Sequence, residues 1–182
     1  MTAAMTPDDL KALVRTIPDF PQPGIQFRDI TTLIGHGPGL ARTVVLLADA
    51  ARAAGAEAIA GMEARGFIFG AAVAAQLGLG FVPVRKPGKL PVPVLAIDYA
   101  LEYGTDTLEV DPGAVAPGRS VVIIDDLIAT GGTALAATQL LRRAGARVDH
   151  ALFVIDLPEL GGAQRLRDAA LTVSALMDFA GH

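Results

Sequence analysis

VVIIDDLIATGGT, residues 121–133, decides how the rest of this chain is read. Val121, Val122, Ile123 and Ile124 run without a polar break, the pattern of a strand buried on both faces in a parallel sheet. The run ends in two adjacent carboxylates, Asp125 and Asp126, and then in Ala129-Thr130-Gly131-Gly132-Thr133. Ala134, Leu135, Ala137, Leu140, Leu141 and Ala144 follow at helical spacing. Strand, acidic pair, Gly-Gly-Thr loop and helix together make a phosphate cradle. Glycines let backbone N–H groups curl round an anion, Thr130 and Thr133 offer hydroxyls, and the helix N-terminus adds its positive dipole end. The carboxylates would repel a bare phosphate. They suit a ligand that carries hydroxyls, or a magnesium ion, beside its phosphate, so a ribose phosphate fits. No lysine follows the glycines and no GxGxxG sits here, which sets aside the Walker A and dinucleotide fingerprints. A Gly-Gly-Thr turn alone is equally an ordinary strand–helix connection; the apolar strand, paired aspartates and TGGT together are far more specific.

Composition bounds the rest. The 182 residues suit one domain that buries a core without staples. Hydrophobic residues make up 52% and the mean hydropathy is +0.46, yet the surplus is Ala, Val and Leu in short runs. No window of about 18 apolar residues is free of charge, so a membrane span is not expected. MTAAMTPDDLK shows neither a basic nor an apolar leader pattern, and the expected setting is the cytoplasm. The absence of cysteine excludes disulfides, thiol nucleophiles and cysteine-based zinc sites. His36, His150 and His182 lack ligand spacing and read as surface or loop residues. Fifteen basic against nineteen acidic residues give a net charge of −4, which argues against a nucleic-acid partner.

The string at 121–133 resembles the phosphoribosyl pyrophosphate (PRPP) motif of the type I phosphoribosyltransferases, and the remaining chain resembles the branch that acts on adenine. The resemblance implies an α/β fold: a central, mostly parallel sheet flanked by helices, with a small N-terminal hood. It implies a single domain over 1–182, with the hood at 1–35 and the PRPP-binding core at 36–182. The implied reaction moves the 5-phosphoribosyl group from PRPP to adenine and yields AMP and pyrophosphate. Mg²⁺ would accompany PRPP, held mainly through the substrate, with Asp125 as its one candidate protein ligand. The family also implies a homodimer.

Taken in order, Thr6-Pro7-Asp8-Asp9 reads as a helix start, and the helix is expected to run through Leu10, Leu13, Val14 and Ile17. IPDFPQPGIQFRDI, residues 17–30, reads as a rigid loop anchored by Phe20, Ile25, Phe27 and Ile30. By residue type alone Phe27 reads by default as a core side chain; by resemblance it stacks on one face of adenine while Leu127 covers the other. Backbone groups near Gln26 would read the edge of the base, with Arg28 close by. GHGPGL at 35–40 is wrong for a dinucleotide fingerprint and reads as a turn before a helix over 40–53.

Residues 57–61 form a short expected strand that leads to Arg65, well placed to fork onto phosphate oxygens. The family gives Arg65 to the pyrophosphate, with a cis peptide just before it. Another strand at 81–84 empties into Arg85-Lys86-Pro87-Gly88-Lys89. Basic runs are usually just solvated, but this one sits where parallel strands end, and it resembles the family loop that faces pyrophosphate. PVPVLAIDYA, residues 91–100, departs from the family by being more apolar and proline-rich, which bears on lid motion rather than chemistry. Glu102 and Tyr103 match the lid's functional pair, with Glu102 the candidate for handling the purine proton. Gly104 offers a hinge. Strands are expected at 147–155 and 171–176, with a short helix between them and DFAGH as a tail.

Adjacent residues of an extended strand point to opposite faces, so Asp125 and Asp126 can share one ligand only if the chain turns there. The PRPP loop does not separate adenine from xanthine or guanine as the accepting base. A PRPP-sensing regulator is the reading from another class; it would need a partner or nucleic-acid module for which the sequence shows no segment and no basic face.

Overall fold

The structure is a computed structural model that describes residues 5–100 and 104–181. Five parallel strands form the central sheet: β3 (Ala58–Met62), β4 (Gly80–Val84), β7 (Ser120–Ile128), β8 (Arg147–Asp156) and β9 (Thr172–Asp178). Their order is β4-β3-β7-β8-β9, with β7 at the centre. Its apolar run is buried because each face has its own core. Val121 and Ile123 pack with helix α5 (Gly132–Arg143) and α6 (Gly162–Asp168). Val122 and Ile124 pack with α3 (Gly37–Ala53) and α4 (Arg65–Leu77). The architecture is therefore the layered α/β fold expected from alternating apolar runs and helices.

Two small antiparallel units sit on this frame. One is a hairpin of β1 (Arg15–Pro18) and β2 (Gln26–Asp29); the other is a ribbon of β5 (Leu95–Ala100) and β6 (Thr105–Val110). The first corrects two expectations. Helix α1 (Pro7–Ala12) opens with the expected Thr6 cap, in a capping box with Asp9, but stops before Val14. Thr16 and Ile17, β-branched and followed by Pro18, go into β1 instead, where Ile17 pairs with Phe27. The proline-rich segment is thus the bend of a hairpin rather than a free-standing loop, and the Phe20–Pro21 bond within it is cis.

His36 is more than a surface residue. It follows helix α2 (Thr31–Gly35), and its Nδ1 accepts the Gly39 N–H at 3.1 Å and caps α3, which starts at Gly37 rather than at residue 40. His150 lies inside β8, opposite Thr172, and His182 falls outside the described residues. Among the described residues no helix is long and apolar enough to cross a membrane.

Candidate active site

The strand order places the site. The chain leaves β3 for β4 through α4, and leaves β7 for β8 through α5, so the connections diverge between β3 and β7. Ligand crevices of open α/β sheets form beyond the strands' C-terminal ends at such a point. A cavity of about 480 Å³ lies there, lined by residues 62–65, Lys86, Leu108 and residues 125–134.

The end of β7 shapes it. Pairing with β3 stops at Gly61 and Ile124, while pairing with β8 continues to Ile128 and Asp156. Past Ile124 the strand is held on one side only, and its alternation breaks. Leu127 packs on the core of Ile124, whereas Ile128 packs on that of Ile123. Asp125 and Asp126 both reach the same cavity as a result, although no turn separates them.

Two helices open onto the cavity without a side-chain cap, α4 after Ala64 and α5 after Gly131. Their first N–H groups and their dipoles bring positive potential to one place. Gly131 has φ +76, and a Cβ on it would lie 2.8 Å from the Gly162 carbonyl. Gly162 in turn donates its N–H to Ala129 at 3.0 Å. Only glycine lets the backbone of this loop lie against the start of α6 in this way.

Both basic side chains that line the cavity are met by a carboxylate, and so is neighbouring Arg85. Arg65 Nε donates to Asp126 at 2.8 Å, Arg85 Nε to Glu63 at 2.8 Å, and Lys86 Nζ to Asp106. Among the described residues Asp125 has no salt bridge. Its Oδ1 accepts the Asp126 N–H at 2.9 Å, and the carboxylate packs so closely on Gly66 that a Cβ there would lie 2.5 Å from it. Burial, and then the neighbouring Asp126 charge, push the Asp125 carboxyl well above the usual carboxylate range. Burial raises Asp126 as well, with Arg65 opposing it. Partial burial pulls Lys86 down, but its hydrogen bonds to Asp106 and Tyr99 leave it raised overall. The Asp106 carboxyl is lowered, chiefly by Lys86.

A second cavity of about 250 Å³ shares Arg65, Leu127 and Ala129 with the first and is otherwise lined by residues 25–28, Leu157 and Leu160. Phe27 is set there by an edge-on contact with Phe20, centroids 5.2 Å apart. Arg28 is tied to the hairpin and to the C-terminal segment: Nη1 donates to Thr16 Oγ1 at 2.6 Å, Nη2 to the Ala180 carbonyl at 2.7 Å, and the guanidinium lies over Phe179.

Gln26, Phe27, Arg28 and Leu127, singled out from sequence, therefore meet at the smaller cavity. Lys86, Asp125, Asp126, Ala129, Thr130, Gly131, Gly132 and Thr133 line the larger one, and Arg65 stands between the two. Arg85 and Lys89 line neither. Arg85 turns to Glu63 and to the Phe67 ring, and exposed Lys89 meets it only through a backbone carbonyl. Glu102 and Tyr103 lie outside the described residues. The Glu63–Ala64 bond is cis, one peptide earlier than the bond that enters Arg65. Sequence reading did not single out Glu63, Leu157 or Leu160. All three follow the C-terminal end of a parallel strand, and that position was the available signal.

Residues 36–173 match the family model described as the phosphoribosyl transferase domain. The chain is 75% identical over 178 residues to the adenine phosphoribosyltransferase of Novosphingobium aromaticivorans, covering 98% of this chain and 100% of that one. A crystal structure of adenine phosphoribosyltransferase from Thermoanaerobacter pseudethanolicus superposes with a TM-score of 0.91 at 45% identity, over 96% of this chain and 100% of that one. The Giardia lamblia enzyme, complexed with 9-deazaadenine, gives a TM-score of 0.90 at 32% identity over 96% and 98% of the two chains.

Proposed function

The chain belongs to the phosphoribosyltransferase family, among its adenine phosphoribosyltransferases, and we infer that it transfers the 5-phosphoribosyl group of PRPP to adenine, giving AMP and pyrophosphate. The observation that carries this reading is the pair of cavities with a common wall at Arg65, Leu127 and Ala129. A slot between Phe27 and Leu127 suits a planar base. The larger cavity, with its uncapped helix ends and free carboxylate, suits a ribose phosphate. Their junction puts a base nitrogen next to an anomeric carbon.

In the proposed reaction the bond from the anomeric carbon to the pyrophosphate oxygen breaks, and its electron pair leaves with that oxygen. The N9 lone pair of adenine forms the new bond, and the N9 proton is lost. We assign that proton to Glu102 on family resemblance. Thr130, Thr133 and the backbone of residues 129–133 take the 5′-phosphate. Asp125 accepts from the ribose hydroxyls and faces the positive charge that develops on the sugar. Arg65 and Lys86 meet the departing pyrophosphate, and Tyr103 with Glu102 closes the site against water. Arg85 and Lys89 belong to the same basic loop and contribute to its potential.

The donor set also fits Mg²⁺ brought by the substrate. Among the described residues no three carboxylate or histidine side chains gather as a metal site, and Asp125 is the one cavity carboxylate without a cation. Mg²⁺ typically takes one or two carboxylates and completes its shell with phosphate oxygens and water. When bound it supplies charge neutralisation at the pyrophosphate.

The proposal treats 1–182 as one unit, hood at 1–35 and core at 36–182, supported by Arg28 and Lys11 packing on Phe179 of the C-terminal segment. It also includes a cytoplasmic setting and a homodimer; exposed Ile68 and Val92 are apolar side chains that a second copy would cover. Product formation from PRPP and Mg²⁺ with adenine, guanine, hypoxanthine, xanthine and uracil tests the reaction. AMP from adenine alone is the expected result, and turnover of another base would remove the adenine assignment.

A further inference from the structure

Lys86 is held by two side chains that the reaction above does not use. Its ammonium donates to the Tyr99 hydroxyl at 3.2 Å and to the Asp106 carboxylate. Tyr99 donates to Asp106 at 3.3 Å and accepts from the Thr133 hydroxyl at 3.4 Å. Tyr99 and Asp106 are direct cross-strand partners on β5 and β6, so the ribbon's register brings them together.

An ammonium has three donors. Tyr99 and Asp106 occupy two, which leaves the third, on a side chain that lines the larger cavity, for a ligand. A lysine is otherwise a point charge on a flexible stem, with much rotamer freedom to lose when it engages a ligand. We propose that Tyr99 and Asp106 are positioning residues for PRPP. They hold Lys86 extended so that its remaining N–H meets the pyrophosphate, and through Thr133 they tie that ammonium to the loop that takes the 5′-phosphate. This rests on the phosphoribosyl-transfer reading.

A carboxylate so near a polyanion also repels it, so the opposite role is physically available: Asp106 as a competitor that withholds Lys86. The two roles predict opposite signs. The experiment measures the kinetics of Tyr99→Phe, Asp106→Asn, Lys86→Ala and the Tyr99→Phe/Lys86→Ala double variant in both directions. Wild-type protein comes first, since its failure to make a nucleotide from any base would sink the reaction itself. If positioning holds, Tyr99→Phe and Asp106→Asn each raise the KM for PRPP, and for pyrophosphate in reverse, about tenfold, the loss of one hydrogen bond to a charged group. The KM for adenine stays within about twofold. Tyr99→Phe then adds nothing once Lys86 is gone, because it acts only through that ammonium. A purely structural role would instead multiply with the Lys86 loss and spread to adenine. Tighter pyrophosphate binding by Asp106→Asn, or unchanged PRPP constants in both single variants, overturns the assignment. For any variant too slow to assay, pyrophosphate binding measured by calorimetry separates the two roles in the same way.

Discussion

Asp125→Asn should make the protein more stable and less active at once. The carboxylate sits against Gly66 and beside the Asp126 charge, and among the described residues no salt bridge reaches it, Arg65 offsetting only part of the cost. Asparagine keeps the one internal hydrogen bond, because its amide oxygen can still accept the Asp126 N–H now at 2.9 Å. What it removes is a charge that burial disfavours. Relief of this kind is typically worth about 1 kcal/mol, which for a chain of this size raises Tm by about 2–4 °C. The sign with pH follows from the raised carboxyl. A carboxyl raised by folding costs stability wherever it must ionise, so the penalty is complete above its folded pKa and vanishes below the unfolded value of about 4. The Tm advantage of Asp125→Asn over wild type should therefore be largest at neutral pH and shrink on acidification. Activity moves the other way. Losing the charge from a hydrogen bond to a ribose hydroxyl, at a site where positive charge develops, should lower kcat/KM for PRPP about tenfold to a hundredfold. Differential scanning fluorimetry from pH 4 to 8, with steady-state kinetics on the same samples, checks both halves. A Tm difference that is negative or independent of pH refutes the burial argument, and an unchanged kcat/KM refutes the ribose assignment.

Three further outcomes are expected. Arg65→Ala strands Asp126, which is 5% exposed, but the arginine is 48% exposed and so partly screened; the loss should be about 1–2 kcal/mol. Adding Asp126→Asn should recover that stability without restoring turnover of PRPP, and recovery of both by the double variant would speak against a pyrophosphate role for Arg65. Phe27→Ala should raise the KM for adenine about tenfold or more, the scale of one lost base–aromatic stack, with PRPP within about twofold; equal losses would show that Phe27 holds the hairpin rather than the base. Thr31 and then Arg15 hold the Asp29 carboxyl down to about 2, so its contribution is complete above about 4 and lost as pH falls toward 2. The Tm gap between wild type and Asp29→Asn should close over that interval, and a constant gap would mean the carboxylate is not what holds β1 to β2.

Much of the fold was legible because its key element is local. The strand, the acidic pair and the glycine loop at 121–133 are contiguous, and each residue type there has one mechanical reason to follow the last. The hairpin was not legible, because Pro18, Pro21, Pro23 and Gly24 signal a loop while the pairing of Ile17 with Phe27 across them leaves no local trace. The same limit applies within the basic loop. Arg85, Lys86 and Lys89 look equivalent in sequence, but the bridge between Arg85 and Glu109 and the carboxylate of Glu63 turn Arg85 away and leave Lys86 to the cavity. Leu157 and Leu160 read as ordinary apolar residues, and only the sheet's order brings them beside Phe27. Residues that act through partners distant in sequence are the ones that pattern and propensity miss.

The ion pairs around the larger cavity limit how it can attract its ligand. Arg65, Arg85 and Lys86 are each matched by a carboxylate, so their long-range fields are largely cancelled. A highly charged phosphate ester would gain little from such a site by simple attraction. The uncapped starts of α4 and α5 act differently, because their N–H groups work at hydrogen-bond range and are fixed by the backbone. Recognition then depends on a ligand that presents phosphate to the helix ends and hydroxyls or a bound cation to Asp125 at the same time. Inorganic phosphate satisfies the first demand only. The pairing of Arg65, Arg85 and Lys86 is therefore a source of selectivity: it weakens their attraction for any anion while leaving intact the contacts that a ribose phosphate can complete.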